Sequence, residues 1–183
     1  MNILKNYLFF ILLTFTINAD ANAQAGNHYL IKAAQVNYIF SGDFTGSENL
    51  FFDNYGSKEL LIKKLHTAKG GKIVESKAIR LNDTLTEMDI NTHQKQIIPL
   101  QSDEKTNQTL AMLNAGNFNK LGEETIAGCT CQKYTGEMGI VCIWKGVILK
   151  SEISVADKKM IKTAVLVDTV TAIKSSLFSI NEH

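Results

Sequence analysis

Residues Val147 to Val155 read VILKSEISV, and their alternation decides the fold class. Val147, Leu149, Ile153 and Val155 fall on one side of an extended chain and Lys150 and Glu152 on the other. That is the period of a half-buried strand, not the period of about 3.6 of a helix. The segment just before, GCTCQKYTGEMGIVCIWKG (Gly128 to Gly146), holds every cysteine of the chain and its one tryptophan. Thr135 to Met138 read as a hairpin loop that joins a strand ending at Tyr134 to one beginning near Gly139 or Ile140.

If Tyr134 faces Gly139, Cys131 lies opposite Cys142, with Cα atoms about 4.5 to 5.5 Å apart, within disulfide reach. A two-residue slip pairs Cys129 with Cys142 instead, and a chain with no internal disulfide is the third alternative. The preferred pairing leaves Cys129 as a free thiol on the face that also carries Trp144. A Cys-x-Cys metal site needs further soft ligands nearby, and His28, His66, His93 and His183 have no ligand spacing. Redox catalysis favours Cys-x-x-Cys at the start of a helix, whereas these cysteines sit in strands.

The same alternation extends through most of the chain. Val36, Tyr38 and Phe40 share a side, a turn follows at SGDFTG, and Leu50 and Phe52 then share a face opposite Phe51 and Tyr55. Lys58–His66, Gly71–Leu81, Thr84–Ile90 and Gln94–Leu100 read as successive antiparallel strands, with Pro99 at an edge or a strand end. Glu124–Tyr134, Ile140–Lys145 and Ile161–Ile173 add three more. Between them, Ser102 to Gly116 reads as a helix, with Asp103 and Glu104 in its first turn, Thr106, Leu110 and Leu113 on one stripe, and Gly116 as its stop. The expected fold is mainly β (α+β): a strongly curved antiparallel sheet or half-barrel of about ten strands, with one or two helices across its concave face.

The amino terminus, MNILKNYLFFILLTFTINADANAQA, places Lys5 before an apolar run from Tyr7 to Ile17, and small residues follow. This reads as a signal peptide over residues 1–23, cleaved after Ala23 or alternatively after Ala25. The run is shorter than the roughly 20 residues of a spanning helix, so no stable membrane insertion of the mature chain is expected. Residues 24–183 then form a single half-barrel domain, periplasmic or secreted. A net charge of +1 over 183 residues provides no basic patch for nucleic acid.

Catalytic chemistry finds no constellation. Glu123 and Glu124 would point to opposite faces of a strand, Asp103 and Glu104 suit a helix amino terminus, and Ser41 and Ser47 lie in turns without a spaced His or Asp. DNYG, Asp53 to Gly56, is too short for a calcium loop of about twelve residues. No cofactor and no catalysis are expected. Tyr38, Phe40, Leu50, Phe52 and Trp144 are the candidates to line an apolar pocket, the alternative being that they fill an ordinary core.

Gly128, Cys131, Tyr134, Trp144, Leu149 and Lys150, together with VNYIFSGDFTGSENLFFDNYGSKE from Val36 to Glu59, resemble a group of secreted proteins from Gram-negative bacteria. That group is similar in architecture to the periplasmic lipoprotein carrier and receptor, the LolA/LolB-like half-barrel. The resemblance implies non-catalytic binding of a lipid-like hydrophobic ligand or of an acylated protein. The alternative is an envelope structural or interaction protein with a solid core and no small-molecule ligand.

Overall fold

The computed structural model describes residues 27–67, 74–100, 108–155 and 158–179; the expected signal peptide lies outside them. From a central strand β1 (Ala34–Gly42) the chain meanders outward through β2 (Phe44–Asp53), β3 (Lys58–Thr67), β4 (Val74–Leu81), β5 (Thr84–Asp89) and β6 (Lys95–Pro99). It then passes through helix α1 (Gln108–Ala115) to the opposite edge. From there β7 (Asn119–Ile126), β8 (Cys129–Gly136), β9 (Gly139–Trp144), β10 (Val147–Val155) and β11 (Lys158–Asp168) lead back to the centre. The result is one 11-stranded sheet in the order β6-β5-β4-β3-β2-β1-β11-β10-β9-β8-β7. Every described pairing is antiparallel. Pro99 ends the edge strand β6, where its missing N–H breaks no ladder.

The sheet is strongly curled but not closed. His28 N–H donates to Tyr55 O (2.9 Å) in the β2–β3 turn, and Leu30 N–H donates to Lys145 O (3.0 Å) in the β9–β10 turn. Along the sheet those turns are four strand spacings apart, roughly 19 Å, yet two residues of extended chain reach only about 7 Å. The His28–Ile31 segment is therefore a strap drawn as a chord across the concave side. Likewise β7 touches β11 although β8, β9 and β10 lie between them in the sheet.

The inner, strap-covered face carries Ala34, Val36 and Tyr38 from β1 and Leu50 and Phe52 from β2, all buried. Pairing Ala34 with Phe52 and Val36 with Leu50 brings them into one cluster, which continues through Ala164, Leu149 and Val147 to Cys142, Cys131 and Ile126. On the opposite face a smaller cluster of Leu60, Ile79 and Phe178, with Phe51 and Ile173 against it, seats the carboxy-terminal 3-10 turn Ser175–Phe178.

Three expectations need correction. One or two helices across the concave face are not found among the described residues. Instead the two-turn α1 runs beside β9, with Thr109 Oγ1 donating to Gly146 O (2.8 Å) and Glu137 N–H to Gly116 O (3.2 Å). Leu113 is buried, while Ser102 to Thr106 and the side chain of Leu110 lie outside the described residues. The span from Glu124 to Tyr134 is not one strand: Ala127 and Gly128, at φ 48 and 79, turn the chain between β7 and β8. Third, the strand expected to reach Ile173 stops at Asp168, whose carboxylate accepts from Val170 N–H and Thr171 N–H.

Candidate functional site

Of the five pocket candidates, Tyr38, Leu50 and Phe52 belong to the main cluster, and Trp144, half-buried on β9, packs against it. Phe40 is buried on the same face of β1 but lies beyond that cluster. The five therefore converge on the concave side, Phe40 at its margin. An open groove of about 510 Å³ lies elsewhere, between Lys32, Asp53 and the Thr169–Ile173 loop, and contains none of them.

Buried charge marks both ends of this face. At one end Glu48, 2% exposed, sits between Lys63 (3.3 Å) and Lys162 (2.9 Å). The placement follows from register: Glu48 pairs with Lys63 on β3 and with Tyr38 on β1, and Phe40 pairs with Lys162 on β11. The Lys162 ammonium also stands 4.6 Å from the Tyr38 ring centre, a favourable cation–π distance. Burial alone would raise the Glu48 carboxyl, but Lys162 and Lys63 outweigh it and hold the group below its ordinary value. This depressed value makes Glu48 stabilising above the unfolded pKa of about 4.5, an effect lost as pH falls through the folded value. Glu48→Gln should therefore cost about 2–3 kcal/mol at pH 7, and urea melts should show the gap to the parent narrowing as pH falls below about 4.5.

At the other end, Arg80 from β4, 4% exposed, holds the strap. Its Nη1 lies 2.7 Å from Nε2 and 3.0 Å from Nδ1 of His28. The next residue, Tyr29, packs its ring against Phe52 at 4.0 Å between centroids, and its hydroxyl interacts with the half-buried Glu59. Glu59 is the cross-strand partner of both Arg80 and Phe52. Burial pushes its carboxyl up, against the opposing pull of Arg80 and Tyr29.

Two glycines make room for the strap. A methyl group at Gly56 (φ 91) would fall 2.7 Å from His28 Cβ, and one at Gly146 (φ 86) 2.9 Å from His28 O. Both have the left-handed backbone that glycine adopts at least cost.

Sequence reasoning misses Glu48, Lys63, Lys162, His28, Tyr29, Glu59 and Arg80 as site residues. A detectable signal does exist: Glu48 occupies the inner position in the frame that carries Leu50 and Phe52.

Cys131 and Cys142 form the expected disulfide, with Cα atoms 5.5 Å apart, but the register behind it differs. Gly136 pairs with Gly139, so the loop is the two residues Glu137 and Met138, and Lys133 faces Cys142. The bond therefore runs diagonally across the hairpin. Cys129 lies a further two residues out of register, beyond disulfide reach of Cys142; it is free, half-buried and packed on the main cluster. Denatured, unreduced protein should accordingly yield one reactive thiol per chain. Replacing Cys131 and Cys142 together by serine should cost about 2–3 kcal/mol in urea unfolding, the entropy of opening so short a loop.

No protein-family model matches the chain, and no curated protein matches it in sequence. Solved structures do. A chain of the MucA/MucB complex of Pseudomonas aeruginosa is 11% identical at a TM-score of 0.51, over 81% of this chain and 56% of that one. An uncharacterised conserved protein from Thermus thermophilus is 10% identical at 0.55, over 84% of this chain and 88% of that one. The chain thus spans little more than half the length of the first. These likenesses concern the fold, which is LolA/LolB-like.

Proposed function

We propose that the chain binds a lipid-like hydrophobic ligand, or the acylated end of another protein, on its concave face, and that it does so without catalysis. In this reading residues 1–23 are a signal peptide and 24–183 one half-barrel domain working in the periplasm or outside the cell. Tyr38, Phe40, Leu50, Phe52 and Trp144 line the site. The observation carrying it is an apolar face enclosed by a curled sheet and crossed, among the described residues, by a short strap, so that ligand can replace protein contacts where the strap lifts. Among the described residues no helix is long and apolar enough to cross a membrane.

The test is mass spectrometry of the organic extract of purified protein, with titration of a fluorescent fatty-acid analogue. Co-purifying lipid and saturable binding, weakened by Leu50→Glu, support the reading. Absence of both removes it.

A second reading, an envelope interaction protein with a solid core, is favoured by two observations. Phe52 has no solvent exposure, and the outer face shows Ile39, Val165 and Leu166 at 45–52% exposure. One chain of this fold was solved within a protein complex, which supports a protein partner. Loss of partner capture on changing Ile39 and Leu166 to serine, with no lipid bound, selects it.

A further inference from the structure

We propose that His28 and Arg80 form an acid-released clasp: a proton taken up by the His28 ring detaches the His28–Ile31 strap and uncovers the Tyr29–Phe52 end of the concave face.

The chemistry follows from the donor inventory. A guanidinium can only donate, so the His28 nitrogen that meets Arg80 Nη1 must accept, and only a neutral imidazole has an accepting nitrogen. Protonation therefore removes the hydrogen bond and sets two cations against each other in a site where His28 is 7% and Arg80 4% exposed.

The surroundings supply little relief. Glu59 on β3 bonds the Tyr29 hydroxyl, and burial raises its carboxyl, so it is already being neutralised when His28 titrates. Burial likewise keeps Tyr29 neutral. Asp53 accepts from Asn54 N–H. From the β9–β10 turn comes a further cation, Lys145, whose Nζ stands over Trp144. Arg80 Nε has no partner, so no acceptor lies within its reach.

The release is confined to the strap by its construction. Apart from the His28, Tyr29 and Ile31 side chains, the strap is held by N–H bonds from His28, Tyr29 and Leu30 to the two turns, and by Lys32 O accepting from Tyr55 N–H. The eleven-stranded ladder does not depend on it.

Burial, and then the Arg80 charge, bring His28 from 6.5 to about 4. The depressed value means that the released strap takes up a proton below about 6.5 that the docked strap refuses. The docking equilibrium should weaken about tenfold per pH unit from there to about 4, and level off below.

The clasp acts whatever the concave face binds, so it is tested without ligand and its failure is separate from that of the function proposed above. Trp144 reports, because it packs on the cluster that Tyr29 and Ile31 cover. Acrylamide quenching of Trp144 should increase at least twofold between pH 6 and pH 4 while far-UV circular dichroism keeps its β signal. His28→Gln, which retains an acceptor oxygen and does not titrate, should abolish the increase; Glu59→Gln should retain it. An unchanged increase in the His28 variant, its loss in the Glu59 variant, or no increase in the parent overturns the clasp. If His28→Gln fails to fold, an NMR titration of the parent decides. The His28 ring and the protection of the Leu30 amide must then share one midpoint, and midpoints a full pH unit apart reject the proposal.

Discussion

Phe52→Ala should lower the unfolding free energy by about 3–5 kcal/mol, the range for deleting a fully buried aromatic ring. Phe52 has no solvent exposure, pairs with Ala34 on one side and Glu59 on the other, and meets Tyr29 at 4.0 Å. Its neighbours are held in ladders and cannot collapse into the space, which places the cost toward the upper end. Part of the loss belongs to the strap, which docks on this ring. Urea melts should give the full stability change. Amide exchange should show the protection of His28 to Leu30 falling further than that of β1, β2 and β11. Equal losses everywhere would mean that Phe52 supports the sheet as a whole and not the strap in particular.

Arg80→Ala should cost a similar amount, about 3–5 kcal/mol, because removing one member of a buried charged set strands the others. Glu59 would lose the cation that Arg80 sets beside it and His28 its donor. The remaining carboxyl has a way out, since burial already favours its protonated form. The penalty should therefore shrink as pH falls toward the ordinary carboxyl range and Glu59, its carboxyl raised by burial, takes up its proton. The double variant Arg80→Met with Glu59→Gln, which leaves no orphaned charge, should recover most of the loss. A double variant no more stable than Arg80→Ala in a urea-melt cycle would show that packing of the arginine stem, and not charge, carries the effect.

Both variants act on features unequally legible in the sequence. The alternation in VILKSEISV and the aromatic frame from Val36 to Phe52 reveal the β class and the inner-face apolar residues, because strand burial is written locally in every second residue. The disulfide is legible because its cysteines lie on adjacent strands of one hairpin. Its register is not: a two-residue loop and a four-residue loop at TGEM share the same polar signature.

Bulges at Asn37/Tyr38 and Ile148/Lys150 leave no mark either, since one extra residue in a strand changes the pairing without changing composition. The charged residues of the inner face escape for another reason. Glu48, Lys63 and Lys162 come from three strands, and His28, Glu59 and Arg80 from three separate segments. Each looks solvated until the sheet curls and brings its partners to it.

The strand order has a further consequence, for how the molecule is assembled in time. The first strand completes its pairing with the last: Gln35 meets Asp168 and Gly42 meets Met160 across the central seam. A growing chain can form the β1–β6 meander early, but that meander keeps a raw inner edge until β11 emerges from synthesis. Contacts so distant in sequence slow folding, and an unpaired strand beside exposed apolar residues invites pairing with another chain. The seam at the middle of the finished sheet is thus the point of greatest exposure during biogenesis, and the stage at which a chaperone would have the most to protect.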